Sequence, residues 1–284
     1  MARYRKILVA IDGSDSGFHA LRESFKLAID EKSWITVVSV VPPFEGDLEL
    51  VGVRDIKTAL RQPCEKALSA AVNIAQAERA LIKTVCEEGE IYGRIVDLAE
   101  AENCDLIIMG RKGTRHLEKT LVGNVTARVI GHSQRDVLVV PDNSHVGWKR
   151  ILVATDGSRY SRAAAERAID FAKSYGGQLR VVSVVDVPPE FYAEAPNAVD
   201  DMIGKAKGHV KDIRLRAESM GVNAEGFVGE GEAYQIITNL ATKEGADVIV
   251  MSSHGRTGLR RLLMGSVAEK VIGHSPCPVL VVRS

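Results

Sequence analysis

The chain has 284 residues, 45% hydrophobic and 26% charged, with 37 basic and 37 acidic side chains. That balance leaves no global positive field to recruit nucleic acid or an anionic membrane, and no apolar run approaches the roughly 18 residues of a membrane span. The length suits two domains of ordinary size.

In chain order, MARYRKILVAIDGS passes too soon into a turn to be a secretory leader and reads as an opening strand. Short Val/Ile/Leu runs then alternate with longer helical patterns, predicting strands near 6–11, 35–41, 81–86, 105–110 and 137–140. A second set follows near 150–155, 178–185, 222–228, 247–252 and 279–282. Nearly continuous apolar runs mark strands covered on both faces, and alternation with helices predicts right-handed crossovers into a parallel sheet. Long helices are expected over 54–80 and 202–220, and another over 161–177, with a hydroxyl near its start and glycines at its end. Segments 42–52 and 186–197, rich in Pro, acidic and aromatic residues, read as irregular loops that either close over a ligand or stay solvated.

The pattern is one unit written twice. KILVAIDGS (6–14) recurs as RILVATDGS (150–158), and VVSVV recurs at the same offset of 144 residues; DLIIMGRKG (105–113) matches DVIVMSSHG (247–255), and VIGHS recurs, at an offset of 142. The fold class is therefore α/β: two tandem doubly wound domains, 1–141 and 149–284, each an open five-stranded parallel sheet flanked by helices. PDNSHVGW (141–148) is the short tether between them. The four cysteines, Cys64, Cys86, Cys104 and Cys277, show no C-x-x-C pairing and fall three to one between the halves. They read as inert thiols with no disulfide frame or zinc site, in a reducing cytoplasm.

In an open parallel sheet, ligands bind beyond the carboxyl ends of the strands, where strand order reverses. Three segments of each repeat should meet there. The first strand delivers Ile11 and Asp12, or Thr155 and Asp156, and the second delivers Val40 or Val184. The fourth delivers a small-residue loop and a helix start: Gly110, Gly113, Gly123, Asn124 and Val125 in the first repeat, and Ser252, His254, Gly255, Arg256, Gly265, Ser266 and Val267 in the second. Small residues let backbone amides approach phosphate oxygens, and the first amides of a helix are unpaired donors at the positive end of its dipole. Ser266 adds a hydroxyl that can cap the helix or turn to the ligand. A Gly-Ser before an apolar-periodic run is equally an ordinary helix start, and Asp before Gly is equally a turn former. His254 suits positioning or packing better than catalysis, its counterpart being Lys112, while His132 and His274 suit helix capping.

The ILVA-x-DGS opening, the D-x-I-x-M loop entry, GRTGLRRLLMGSVAEKVIGHS and the closing VLVV together resemble a tandem universal stress protein, with both copies covered. The ATP-binding branch of that family carries G-x-x-G, nine residues, then G-[S/T]. The resemblance implies an adenine-nucleotide alpha hydrolase-like fold, adenine near the first-strand Asp and the end of strand two, and phosphates on the glycine loop and following helix. The ligand implied is ATP, AMP or ADP, with or without Mg²⁺. Each repeat departs once. Ser252 replaces the first glycine, its Cβ crowding the nucleotide or restricting the backbone; Asn124 replaces the small hydroxyl residue but still caps and donates. Nucleotide is expected in the second repeat ahead of the first.

With no Walker loop, kinase H-R-D or S-G-G-x-D-S loop, the sequence reads as a nucleotide-binding stress or regulatory protein without catalytic residues or a metal site. The rivals are a dimerisation scaffold with vestigial pockets and a slow or self-phosphorylating ATPase. The VLVV strands are expected to pair the two domains within the chain, and a homodimer is compatible with this.

Overall fold

The computed structural model describes residues 4–43, 56–113, 122–255 and 264–283. Contacts divide the chain into two units, Met1–Asn143 and Ser144–Ser284.

The first unit runs β1 (Lys6–Ala10), α1 (Asp15–Glu31), β2 (Trp34–Val41), α2 (Ile56–Ala77), β3 (Ile82–Glu88), α3 (Ile91–Ala101), β4 (Leu106–Gly110), α4 (Asn124–His132) and β5 (Asp136–Val140). Its strands lie in the order β3-β2-β1-β4-β5, and all four pairings are parallel. Strand order reverses between β1 and β4. The central strands are buried on both faces: Ile7, Leu8, Val9, Leu106 and Ile107 are wholly inaccessible, which is why these runs do not alternate in polarity.

The second unit repeats the design with β6 (Arg150–Ala154), α5 (Arg159–Tyr175), β7 (Gln178–Val185), α6 (Pro189–Glu194), α7 (Pro196–Ser219), β8 (Ala224–Glu230), α8 (Ala233–Lys243), β9 (Val248–Ser252), α9 (Ser266–His274) and β10 (Val279–Val282). The order is β10-β9-β6-β7-β8, again all parallel. Within 186–197, read from sequence as irregular, the short helix α6 and the first turn of α7 form, each with a proline at its opening position, where a missing N–H costs nothing. Helix α5 begins two residues before the hydroxyl expected to open it: Ser158 is the N-cap, its side chain accepting from Ser161 N at 3.1 Å, and Gly176 ends the helix in the left-handed conformation.

The Asp of the D-x-I-x-M motif is a clamp at the opposite end of the sheet from the loops. Asp105 Oδ2 accepts from Arg5 N and Lys6 N at 2.8 and 3.0 Å; Asp247 Oδ2 accepts from Lys149 N and Arg150 N at 3.1 and 2.9 Å. Each ties the entrance of its β1-type strand to its β4-type neighbour. His132 and His274, expected at helix ends, each hold Nδ1 at 2.8 Å from the carbonyl four residues earlier.

The core edges differ between the repeats. Tyr4 is buried and donates to Asp136 Oδ2 at 2.7 Å. At the corresponding place in the second unit Trp148, 4% exposed, stacks on Phe171 with ring centroids 4.0 Å apart. Trp34, the other tryptophan, is 75% exposed at the start of β2. The sequence reading of the cysteines is overturned: Cys64 of α2 and Cys86 of β3 are joined as a disulfide, 22 residues apart, so the cysteines are not four inert thiols and no longer point to a reducing compartment. The spacing carries no signal because the helix-to-edge-strand packing that brings them together is tertiary. Cys104 and Cys277 are free and buried as expected. No helix of the described residues is long and apolar enough to cross a membrane.

Candidate functional site

In each unit the chain leaves its first strand through an Asp-Gly-Ser turn. Gly13 and Gly157 take φ of +84° and +79°, the left-handed region that disfavours other residues, so the turn needs glycine at its centre. The following serine caps the next helix: Ser14 Oγ accepts from Gly17 N at 3.1 Å, as Ser158 does from Ser161 N. The aspartate holds the turn from the other side. Asp12 Oδ1 accepts from Ser14 N at 3.1 Å and from Ser14 Oγ at 2.6 Å, and Asp156 Oδ1 accepts from Ser158 N at 3.0 Å.

The second carboxylate oxygen faces the fourth-strand loop. A Cβ built on Gly255 would stand 2.7 Å from Asp156 Oδ2, and one on Gly113 would press on Asp12 Oδ2. The second glycine of the G-x-x-G pattern thus leaves room for the aspartate as well as for any phosphate. The first glycine of that pattern has a different reason: at Gly110 a Cβ would come within 2.9 Å of the Ser16 backbone, where β4 passes close to α1. Ser252 occupies this place in the second unit, buried, with its hydroxyl donating to His254 O at 2.7 Å. The extra side chain is absorbed into the loop as an internal hydrogen bond.

The loop is held at further points. Gly265 N donates to Ser253 O at 2.8 Å, as Gly123 N does to Arg111 O at 3.0 Å. Arg283 donates to Ser253 Oγ at 2.7 Å, and Ser253 Oγ lies 3.0 Å from His254 Nδ1. His254 is therefore a positioned side chain at the loop's edge. Gly265 is the N-cap of α9 and Gly123 of α4, so Ser266 and Asn124 stand at the first helical position and cap nothing. A glycine cap gives neither helix start a side-chain hydrogen bond, in contrast with the serine caps of α1 and α5. The capping reading of Ser266 is thereby corrected: with glycine free to take the cap, its hydroxyl is exposed.

These parts enclose a cavity of about 400 Å³ in the second unit. Thr155, Asp156, Val184, Ser252, His254, Gly255, Gly265, Ser266 and Val267 all line it; Arg256 lies outside the described residues. Its inner wall is apolar, from Val182, Met202, Ala206, Ile237 and Met251, while its rim carries the Asp156 carboxylate, the glycine loop and the uncapped end of α9. Asp186, also at the rim, accepts from Ala233 N at 3.0 Å and so caps α8. Sequence reasoning missed Met202, Ala206 and Asp186. The first two are spaced by one helical turn, and the third directly follows VVSVV, signals visible only once α7 is seen to roof the second strand. In the first unit, Ile11 is buried with its amide on Val38 O at 2.9 Å, Val40 is at the end of β2, Asn124 is exposed and Val125 half-buried.

A family model described as the universal stress protein family matches residues 3–141 and again 147–283. A universal stress protein of Methanocaldococcus jannaschii is 40% identical over 140 residues, spanning 48% of this chain and 82% of that protein. Universal stress protein YxiE of Bacillus subtilis is 34% identical over 150 residues, spanning 48% of this chain and 99% of its own. The crystal structure of a universal stress protein from Archaeoglobus fulgidus shares the fold with a TM-score of 0.74 at 21% identity, covering 98% of this chain and 96% of that one.

Proposed function

This chain belongs to the universal stress protein family, and we propose that its second repeat binds an adenine nucleotide as the conformational ligand of a stress-response regulator. The carrying observation is a helix start without a side-chain cap, α9, opening on a cavity whose inner wall is apolar. At about 400 Å³ that cavity falls in the range of small-molecule sites. A flat, weakly polar base suits the wall of Val182, Met202 and Ala206. The Asp156 carboxylate, which lines the cavity, suits ribose hydroxyls, and the amides of Ser266, Val267 and Ala268 with the Ser266 hydroxyl suit phosphate. ATP, ADP and AMP share this chemistry, and a divalent cation would enter on the phosphates. The first repeat supports a second, weaker site: it has the Asp12 carboxylate facing Gly113 and the glycine-capped α4, but Asn124 in place of Ser266. A nucleotide regulates only by binding two conformations unequally, so affinity and conformation need to be read together.

Equilibrium uptake of labelled ATP by the full chain, with and without Mg²⁺, tests the reading. One tight site is expected, with a weaker second. Asp156→Ala is expected to weaken the tight site about tenfold, the effect of one charge-assisted hydrogen bond. Absence of saturable uptake at millimolar ATP overturns the proposal.

A further inference from the structure

We propose that Cys64 and Cys86 form a redox-exchangeable pair that sets how firmly α2 is held at the first cleft, and through it that cleft's affinity for its ligand. The affinity half rests on the nucleotide reading above; the redox half stands without it.

The disulfide ties the interior of α2 to β3, the last strand on that side of the first unit's sheet, with the two Cα atoms 6.3 Å apart. Cys86 pairs in register with Ser39 of β2, as Val228 pairs with Ser183 of β7 in the second unit. At the offset of 142 residues, Cys64 corresponds to Ala206. Ala206 and Ser183 both line the second unit's cavity, so the bridge stands at the position that, in the second unit, walls that cavity. The same helix then reaches the ligand turn: Ala67, one turn beyond Cys64, is 3.7 Å from where a Cβ on Gly13 would stand. One rigid element thus joins the bridge to the Asp12-Gly13-Ser14 turn. Pro63, immediately before Cys64, gives no N–H to the helix ladder, leaving this part of α2 short of an internal tie that the bridge replaces.

The chemistry is confined to this pair. Burial pushes the Cys104 and Cys277 thiols up to about 11, leaving little thiolate for exchange. Cys64 is 4% exposed and Cys86 is the more accessible of the two, which directs an incoming thiolate to the Cys86 sulfur. Attack there breaks the S–S bond; Cys64 leaves as a thiolate and takes up a proton. A second small thiol attacks the external sulfur of the mixed disulfide and releases Cys86. Two small thiols thereby supply two electrons and depart as one small disulfide, and a small disulfide is the oxidant for the reverse.

The full chain, equilibrated in a series of glutathione redox buffers, is quenched with a maleimide and the labelled cysteines located by peptide mass. In the same buffers, peptide-resolved hydrogen exchange follows α2, and ATP titration follows protection at each cleft separately. Labels are expected to appear reversibly at Cys64 and Cys86 alone. Reduction is expected to speed exchange across α2 and to weaken ATP at the first cleft by about fivefold, the lower end of coupling between linked sites, without altering the second. Cys64→Ala with Cys86→Val, which installs the second repeat's own residues, should match the reduced protein in every buffer. Persistent labelling of both cysteines in oxidising buffer, a bond that yields only when the chain unfolds, or identical α2 exchange in both states overturns the redox half. Unchanged first-cleft affinity despite altered α2 exchange overturns the coupling. If ATP protects neither cleft, the nucleotide reading fails while α2 exchange still decides the redox half.

Discussion

Asp156 divides its oxygens between two tasks, Oδ1 accepting from Ser158 N and Oδ2 facing Gly255. The two meanings of an Asp before Gly, turn former and ligand acceptor, are therefore compatible in one side chain. A methyl group on Gly255 would stand 2.7 Å from Oδ2, so Gly255→Ala is expected to cost about 1 kcal/mol, the low end of overpacking, because the obstacle is a side-chain end. Asp156→Ala removes the obstacle. The double variant should then lose less than the two single losses added, a non-additivity read from urea-denaturation midpoints. This coupling could not be read in the sequence, because the partners are far apart along the chain and meet only across the strand-order reversal. The glycine itself was legible; one of its reasons was not. The buried thiols give a second expectation at this scale. Their pKa is raised by burial from 9.0 to about 11, so folded protein keeps the proton that unfolded chain loses. The stability they contribute is present below pH 9 and is lost as pH rises through about 11. Native protein at pH 8 should accordingly label slowly at Cys104 and Cys277, with labelling overtaking only on unfolding.

Helices and strands followed their local signals more closely than the loops did. Apolar runs located the strands because burial on both faces leaves no other composition available. Segment 186–197 misled because its prolines read as breakers, whereas in α6 and α7 they open helices. The D-x-I-x-M motif, read as part of the loop entry, instead clamps strand entrances. Asp247 accepts two backbone N–H groups and also pairs with Arg150 at 2.7 Å, its side chain 17% exposed. Asp247→Ala should therefore lower stability by about 1–2 kcal/mol, leaving two strand-end amides without their carboxylate acceptor. Glu166→Ala, which removes an exposed partner of Arg216, should cost at most about 1 kcal/mol. Comparable urea midpoints for these two variants would show that the clamp carries no stability.

Across the whole molecule, repetition made the architecture legible, while the devices that distinguish the repeats were not. The first unit seats a buried Tyr4–Asp136 hydrogen bond where the second stacks Trp148 on Phe171, and only the first carries a disulfide. Each device depends on a partner remote in sequence and unmarked by any motif. Reduction of the full chain should cost the first unit about 3 kcal/mol, because a covalent loop no longer restricts its unfolded state. Hydrogen exchange across β1 and β2 measures this, and equal protection in oxidised and reduced protein would refute it.

The two tryptophans make the choice of probe consequential. Trp148 is shielded among aromatic rings and passes from an apolar to an aqueous environment when its repeat opens, whereas Trp34 is already 75% exposed when folded. An emission spectrum recorded on heating is therefore a one-sided thermometer: it reports the melting of the carboxyl-terminal half and can register no change while the amino-terminal half has already come apart.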